Sequence, residues 1–316
     1  CKIPMPRLRS KWKKLVRKKS EPLGRPAVNL RTLNPDISTF ADALERVASI
    51  LAQAGVEEPR EEAGRLYCGL TGCSRADVVR GDMGVPSSSE WAELLSWAER
   101  RAQGEPLAYL EGKVGFYGLE FKVDSRVLIP RPDSECLVEA GLASLQGKES
   151  PRVLDLGTGS GCLLLATLAH HQTARGIGVD RDPGALEVAE ENATALGLRS
   201  RASFQMGNWF DGLEVKPFDL ILCNPPYVQP GEELGLGVEE FEPAMALFTP
   251  PDDPLWCYRE ILESASSFLG AESLLILEIG FGRVKDVERC VVAHGFRVAS
   301  VHLDLAKVPR ALLVGF

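Results

Sequence analysis

The chain has 316 residues, 45% hydrophobic and 25% charged, the make-up of an ordinary globular protein of roughly two domains. No run of about 18 apolar residues occurs, so no segment suits a membrane-spanning helix. The net charge of -8 is uneven: residues 1–31 carry eleven Lys/Arg and one acid, leaving 25 basic and 43 acidic residues in the rest, which argues against a broad nucleic-acid-binding face.

The basic leader, residues 1–35, has no sustained periodicity and reads as unfolded on its own. It opens at Cys1, as a processed or incomplete product would. Its Lys/Arg-rich, acid-poor make-up suits an organellar transit peptide, and it suits a solvated basic tail equally. The expected location is therefore the cytoplasm, or a mitochondrial or plastid matrix. An apolar secretory core is lacking. Seven cysteines beyond Cys1 are scattered without a C-x-x-C pair, so neither a zinc site nor a disulfide framework is expected. The four histidines show no metal spacing.

Residues 36–104 read as a small helical domain for substrate docking. Ser38 or Thr39 caps a first helix with Phe40, Leu44, Val47, Ile50 and Leu51 on one stripe. A second helix covers about Glu58–Leu70, and Ser87–Ser89 introduce a third with Trp91, Leu94, Leu95 and Ala98 inward. Residues 105–133 switch to period two and read as a β-hairpin linker. Its strands are expected over Phe116–Val123 and Val127–Ile129, with Pro130-Arg131-Pro132 ending it and Asp133 or Ser134 capping the next helix.

From residue 134 to 316 strands and helices alternate. Strands are expected at Val153–Leu156, Gly176–Val179, Ala202–Gln205, Phe218–Cys223, Ser273–Ile279, Phe296–Leu303 and Arg310–Phe316. Helices are expected at Cys162–His170, Pro183–Leu196, Leu255–Leu269 and Arg283–Ala293. Alternation predicts a doubly wound parallel sheet. The last two strands are joined too closely for a crossover helix, so they pair antiparallel. A seven-stranded, mostly parallel sheet with an antiparallel edge is the class I methyltransferase arrangement.

Two stretches carry chemistry. The first is Asp155-Leu156-Gly157-Thr158-Gly159-Ser160-Gly161, a strand end, a glycine loop and a helix start, followed 23 residues after Gly157 by Asp180. Glycines let backbone lie against a ligand, and a carboxylate at Asp180 accepts ribose hydroxyls. The spacing is G-x-G-x-G, and Asp155 would repel a pyrophosphate while suiting a cationic ligand. Both points favour S-adenosylmethionine over a dinucleotide. Asn208-Trp209 follows the third strand, where Trp209 offers a ring face to an adenine.

The second stretch is Asn224-Pro225-Pro226-Tyr227. Two prolines stop the strand and leave a carboxamide at its carboxyl end, where open α/β sheets hold ligands. The Asn224 side chain and the Pro225 carbonyl make two acceptors for a planar N–H₂ group, and Tyr227 walls it. The long segment Gln229–Asp253 carries Glu232, Glu233, Glu239, Glu240, Glu242, Asp252 and Asp253 and no Lys/Arg. It shows no clear structure of its own and is expected to recognise a protein partner.

These motifs resemble the HemK/PrmC release-factor glutamine N5-methyltransferases over about residues 38–316. The likeness rests on Gly104–Tyr109, Phe116-Tyr117-Gly118, Leu128–Pro132, Asp155–Gly161, Asn208–Phe210, Asn224–Tyr227, Glu242–Phe248 and Leu277–Gly280. N-P-P-Y alone is shared with adenine-N6 and guanine-N2 nucleic-acid methyltransferases, which are the alternative reading. The chain has Asp133-Ser134-Glu135 where the family usually has Glu-Thr-Glu, and Asn208 where it usually has Asp. The resemblance implies that Asp155, Gly157, Thr158, Gly159, Ser160, Gly161, Asp180, Asn208, Trp209 and Asn224 hold S-adenosylmethionine. It implies that Asn224, Pro225, Pro226 and Tyr227 hold the glutamine of a Gly-Gly-Gln motif in a class-1 release factor, with Asn224, Pro225 and Tyr227 catalytic. No metal is implied, and a monomer is expected.

Overall fold

The computed structural model describes residues 37–81 and 83–316; the basic leader lies outside them. The chain divides into two compact units, one ending at Gly112 and including Leu234–Phe241, the other formed by Lys113–Glu233 and Glu242–Phe316. Among the described residues no helix is long and apolar enough to cross a membrane.

The first unit is helical. Helix α1 (Phe40–Gln53) starts at Thr39, whose side chain and that of Asp42 close a reciprocal capping box. Helix α2 (Pro59–Thr71) begins on a proline and ends at Gly72 in the left-handed region. A short α3 (Arg75–Arg80), capped by Ser74, was not anticipated from the sequence. Helix α4 (Ser88–Ala102) is capped by Ser87 and buries Leu94 and Ala98. Phe40 and Tyr67 meet edge-on at 4.8 Å within this core. Cys68 and Cys73 are not isolated as the sequence suggested: their Sγ atoms lie 3.6 Å apart at the end of α2, as free thiols.

The linker differs from expectation at both ends and at its centre, where the expected strand Phe116–Val123 is broken by the hairpin turn itself. Residues Leu107–Glu111 form a helix, α5, opened by Pro106 and closed by Gly112 at φ 71. The hairpin strands are β1 (Lys113–Phe116) and β2 (Leu119–Lys122). They are joined by Tyr117-Gly118 with φ 48 and 74, the all-positive two-residue turn that matches strand twist. Val127–Ile129 is not a strand. Val127 and Ile129 are buried, but the Ile129 N–H donates to the Glu242 carboxylate instead of to a ladder.

The second unit continues with a 3-10 turn at Pro132–Ser134, then α6 (Glu135–Ser144), β3 (Arg152–Leu156), α7 (Cys162–His170), β4 (Arg175–Asp180), α8 (Pro183–Ala195), β5 (Ala202–Met206) and β6 (Phe218–Cys223). After β6 come α11 (Trp256–Ala265), β7 (Leu269–Glu278), α12 (Val284–Ala293), β8 (Arg297–Leu303) and β9 (Pro309–Gly315). The sheet order is β5-β4-β3-β6-β7-β9-β8. Strands β3 to β7 run parallel, and β9 inserts antiparallel between β7 and β8. Alternate residues of β6 feed opposite faces: Leu220 and Leu222 join a core with α6 and α7, Ile221 and Cys223 one with α11 and α12.

The segment Gln229–Asp253 is not structureless. It contains two short helices, α9 (Val238–Phe241) and α10 (Ala244–Leu247), and a bridge from Val228 to Phe248. Gly237 lies so close to Gly104 within the first unit that any side chain there would run into the Gly104 carbonyl. That close approach accounts for a glycine at both positions.

Candidate functional site

The chain leaves β3 for β4 and β5 on one side, then returns to β6 on the other. The crevice between β3 and β6 is therefore the switch point of the sheet, where ligands sit outside the strand ends. Leu156 of β3 pairs with Cys223 of β6, and Cys223 with Leu277 of β7. The next residues on the three strands are Gly157, Asn224 and Glu278, so the two sequence motifs leave neighbouring strands side by side. Adjacent strands are about 4.8 Å apart, which sets the spacing of the row.

On the glycine side, Gly157, Gly159 and Gly161 all adopt positive φ (68, 54 and 81), a path an L-side chain resists. Asp155 is fully buried beneath the turn. Its Oδ2 accepts from the Thr158 hydroxyl at 2.6 Å and, at 3.4 Å, from the Leu164 N–H, so it braces the loop. Burial pushes its carboxyl up to about 7, with those two donors opposing. Asp180 Oδ2 accepts from the Gly159 N–H at 2.9 Å and Oδ1 from the Asp182 N–H at 2.9 Å. Each oxygen keeps a further lone pair for a hydroxyl donor. Burial raises the Asp180 carboxyl as well.

Trp209 stands at φ 52, an outlier for a bulky residue. Its ring runs beside Gly157, and its Nε1–H is buried without a partner. Ser160 Oγ and Asp155 Oδ1 are likewise buried and unpartnered. Three orphaned polar atoms, a glycine turn and an aromatic face around one crevice are the donor and acceptor set that a nucleoside with a charged amino-acid tail satisfies. The residues present fit S-adenosylmethionine. Asn208, half-buried, turns back through its carbonyl to the Asp211 N–H.

On the other side of the crevice, Asn224 is half-buried and its Nδ2 donates to Ser134 Oγ at 3.2 Å. Its Oδ1 is thus the end left for a ligand. Pro225 is buried, Pro226 half-buried. The Tyr227 hydroxyl donates to Glu278 Oε1 at 3.1 Å, which ties the ring down. Burial pushes the Tyr227 phenol up, and the Glu278 charge adds to that.

Two groups in this constellation were not singled out from the sequence. Glu278, 1% exposed, ends the apolar run Leu274–Leu277, and an acid closing a buried strand was the available signal. Ser134 enters the sequence reading as a helix cap and as part of the Asp133-Ser134-Glu135 departure, not as a partner of Asn224. Asn192, on α8, was missed too. It accepts from the Lys122 N–H at 2.7 Å and donates to the Lys122 and Ser160 carbonyls at 3.0 and 2.9 Å, tying the hairpin to the glycine loop. The acidic segment is partly spent internally: Glu242 pairs with Arg131, Asp253 with Arg259, and Glu232 with Arg283 at 3.3 Å. Glu233, Glu240 and Asp252 are exposed.

The chain matches known families over both of its units. The PrmC N-terminal domain family matches residues 42–112, and the methyltransferase small domain family matches residues 134–288. A release factor glutamine methyltransferase of Rhodospirillum rubrum is 40% identical over 274 residues, 85% of this chain and 83% of its own length. Proteins of the same description from Moorella thermoacetica and Caulobacter vibrioides are 38% and 35% identical, over 98% and 96% of their lengths and 87% of this chain in each case. With that identity sustained across both units, the chain belongs to the release factor glutamine methyltransferase family.

Proposed function

We propose that this chain methylates the side-chain amide nitrogen of a glutamine in a peptide-chain release factor, using S-adenosylmethionine. The observation that carries the reading is the register of β3 with β6, which seats a glycine turn beside a carboxamide on the next strand. The finer assignment is the glutamine of a Gly-Gly-Gln motif in a class-1 factor.

S-adenosylmethionine supplies an electrophilic methyl group on a sulfonium. Gly157–Gly161 cradle the cofactor's amino-acid end, Asp180 accepts from its ribose, and Trp209 faces its adenine beside Asn208. Asp155 and Thr158 hold the cradle in shape. An amide nitrogen is a poor nucleophile because its lone pair is delocalised into the carbonyl. Asn224 Oδ1 and the Pro225 carbonyl accept its two N–H groups, which fixes the amide plane and favours positive charge on nitrogen. Pro226 stiffens the turn, and Tyr227 walls the amide. Holding nucleophile and methyl in line then lowers most of the barrier. The methyl–sulfur bond would break as the carbon–nitrogen bond forms, releasing S-adenosylhomocysteine, and the N-protonated amide would be acidic enough to give its extra proton to water, so a strong base in contact with it is not required.

The test offers tritiated S-adenosylmethionine with a release factor, its Gln-to-Ala variant, DNA and RNA. Label on the intact factor alone supports the reading. Label on nucleic acid, or label indifferent to the glutamine, overturns it.

A further inference from the structure

The turn that follows β7 carries an aromatic ring into solvent. The Gly280 carbonyl accepts from the Arg283 N–H at 3.1 Å, and Gly282 stands at φ 73, so Phe281 and Gly282 form the corner of a β-turn with glycine in its third place. The turn is fixed on both sides. Gly280 lies against the Tyr227 ring, and Arg283 pairs with Glu232 at 3.3 Å. Phe281, at the corner, is 78% exposed.

A single exposed apolar side chain is ordinary. Here three share one edge. Strands β7 and β8 both run antiparallel to β9, so both end at the same edge of the sheet. Glu278 faces Ala311 and Leu303 faces Pro309, which sets Leu303 level with Gly280 across β9. Leu303 is 48% exposed, and Leu305, in the turn beyond it, 91%. That turn is braced too. The buried Asp304 accepts from the Val308 N–H at 2.9 Å through Oδ1 and from Arg310 Nε at 3.0 Å through Oδ2. Apolar groups on braced turns lose little backbone freedom when a partner covers them.

The acceptor site at Asn224–Tyr227 reads a side-chain amide, which every glutamine has. In a Gly-Gly-Gln motif the two glycines offer no side chain to grip, so discrimination comes from farther along the substrate. From β6 to β8 is three strand spacings, about 14 Å, which an extended peptide covers in about four to five residues. Resting on the methyltransferase reading above, we infer that Phe281 and Leu305 are substrate-binding residues, which receive an apolar side chain of the release factor from within about five positions of its acceptor glutamine. The release factor is the occupant because the patch is continuous with the acceptor site: Gly280 packs on the Tyr227 wall, and Phe281 is the next residue. Glu232 and Arg283 supply the polar rim that such contacts carry.

The test uses the full chain with Phe281→Ala, Leu305→Ala, the double variant and Phe281→Leu, assayed on a release factor. Val215→Ala is the control, 67% exposed at the opposite edge of the sheet, ahead of β6. Expected are a release-factor KM at least about fivefold higher in Phe281→Ala and at least about tenfold higher in the double variant, with kcat within about twofold and S-adenosylmethionine affinity unaltered. Phe281→Leu keeps an apolar group and recovers part of the loss. Polar replacement of the factor's apolar residues in the five positions on either side of its glutamine raises KM for the wild type and adds little in the double variant, as a shared contact requires. Fully additive losses, or an equal rise in Val215→Ala, overturn the inference. So does a double variant with wild-type KM; if that variant has also lost self-association by sedimentation, the patch is a contact between copies of this chain. A wild type that labels no release factor refutes the proposed function and this inference together, whereas a wild type that labels it beside a double variant of unchanged KM refutes the inference alone.

Discussion

Gly280 lies against the ring of Tyr227: a methyl group on its α-carbon would come within 2.9 Å of Cδ2 and 3.4 Å of Cγ. Gly280 is not among the positive-φ residues, so the constraint is space and not backbone conformation. The ring cannot simply swing away, because its hydroxyl is bonded to Glu278.

Gly280→Ala is therefore expected to displace the wall of the acceptor site. Overpacking of this kind costs about 1–3 kcal/mol of stability, while a small misplacement of a positioning group costs about 100-fold in rate. The prediction is a folded protein with turnover on a release factor reduced at least about tenfold. Unchanged kcat in a variant with a shifted melt would mean that the Tyr227 ring position does not matter to transfer.

Trp209 holds a backbone conformation that bulky residues avoid, and it keeps a buried indole N–H without a partner. Strain of this sort costs about 1–3 kcal/mol and persists where a ligand makes use of it. Trp209→Ala is expected to weaken S-adenosylmethionine binding at least about tenfold by calorimetry, in line with the loss of one stacked ring and its hydrogen bond. Trp209→Phe keeps the ring, loses the N–H, and should recover only part of the affinity. Equal affinity in all three proteins would take Trp209 out of the cofactor site.

The sheet and both site motifs were readable because their signals are local. A buried strand followed by two prolines, or by a glycine turn, states its own geometry within a few residues, and helix α7 fell on its expected bounds, Cys162–His170. The helix Leu107–Glu111 is not expected from the sequence because it is one turn long, too short for its periodicity to show. Val127–Ile129 has strand composition, but its backbone is claimed by Glu242 from 113 residues away in sequence. Ser134 and Glu278 sit in or beside motif stretches, but their contacts with Asn224 and Tyr227 are tertiary, and Asn192 has no local signal at all.

Two fully buried carboxyls set a pH dependence of stability. Burial raises Asp155 from near 3.8, and Glu278 from near 4.5, in each case to about 7. Both bind their protons more tightly folded than unfolded. Their contribution is most favourable below about pH 4, and it is lost as pH rises from there to about 7, above which it is flat. For Glu278 the loss is on the order of 3 kcal/mol across that window. Glu278→Gln keeps an acceptor for Tyr227 and removes the titration. Urea unfolding at about pH 5 and about pH 7.5 should therefore show a smaller fall in stability for the variant than for the wild type. A parallel fall in both proteins would mean that Glu278 titrates normally when folded.

Asn192 provides the last test, because it joins stability to the cofactor site. The side chain is 1% exposed and makes three hydrogen bonds, two to the backbone of Lys122 and one to the Ser160 carbonyl. Asn192→Ala leaves the Ser160 carbonyl buried and unpaired, and strips the half-buried Lys122 N–H and carbonyl of their partner. Each such group costs about 1–3 kcal/mol, less where water enters, so a net loss of about 3 kcal/mol and a clearly lower melting temperature are expected. Asn192→Asp separates the contributions. Its carboxylate still accepts from the Lys122 N–H but faces two carbonyls with no proton to give. Protonation restores one donor, so this variant should regain stability as pH falls. Both variants free Ser160, and with it one end of the glycine loop, so S-adenosylmethionine affinity should drop in proportion to the melt and be partly rescued by acid in Asn192→Asp. Full affinity in a destabilised Asn192→Ala would show that the loop keeps its shape through Asp155 and Asp180 without the hairpin.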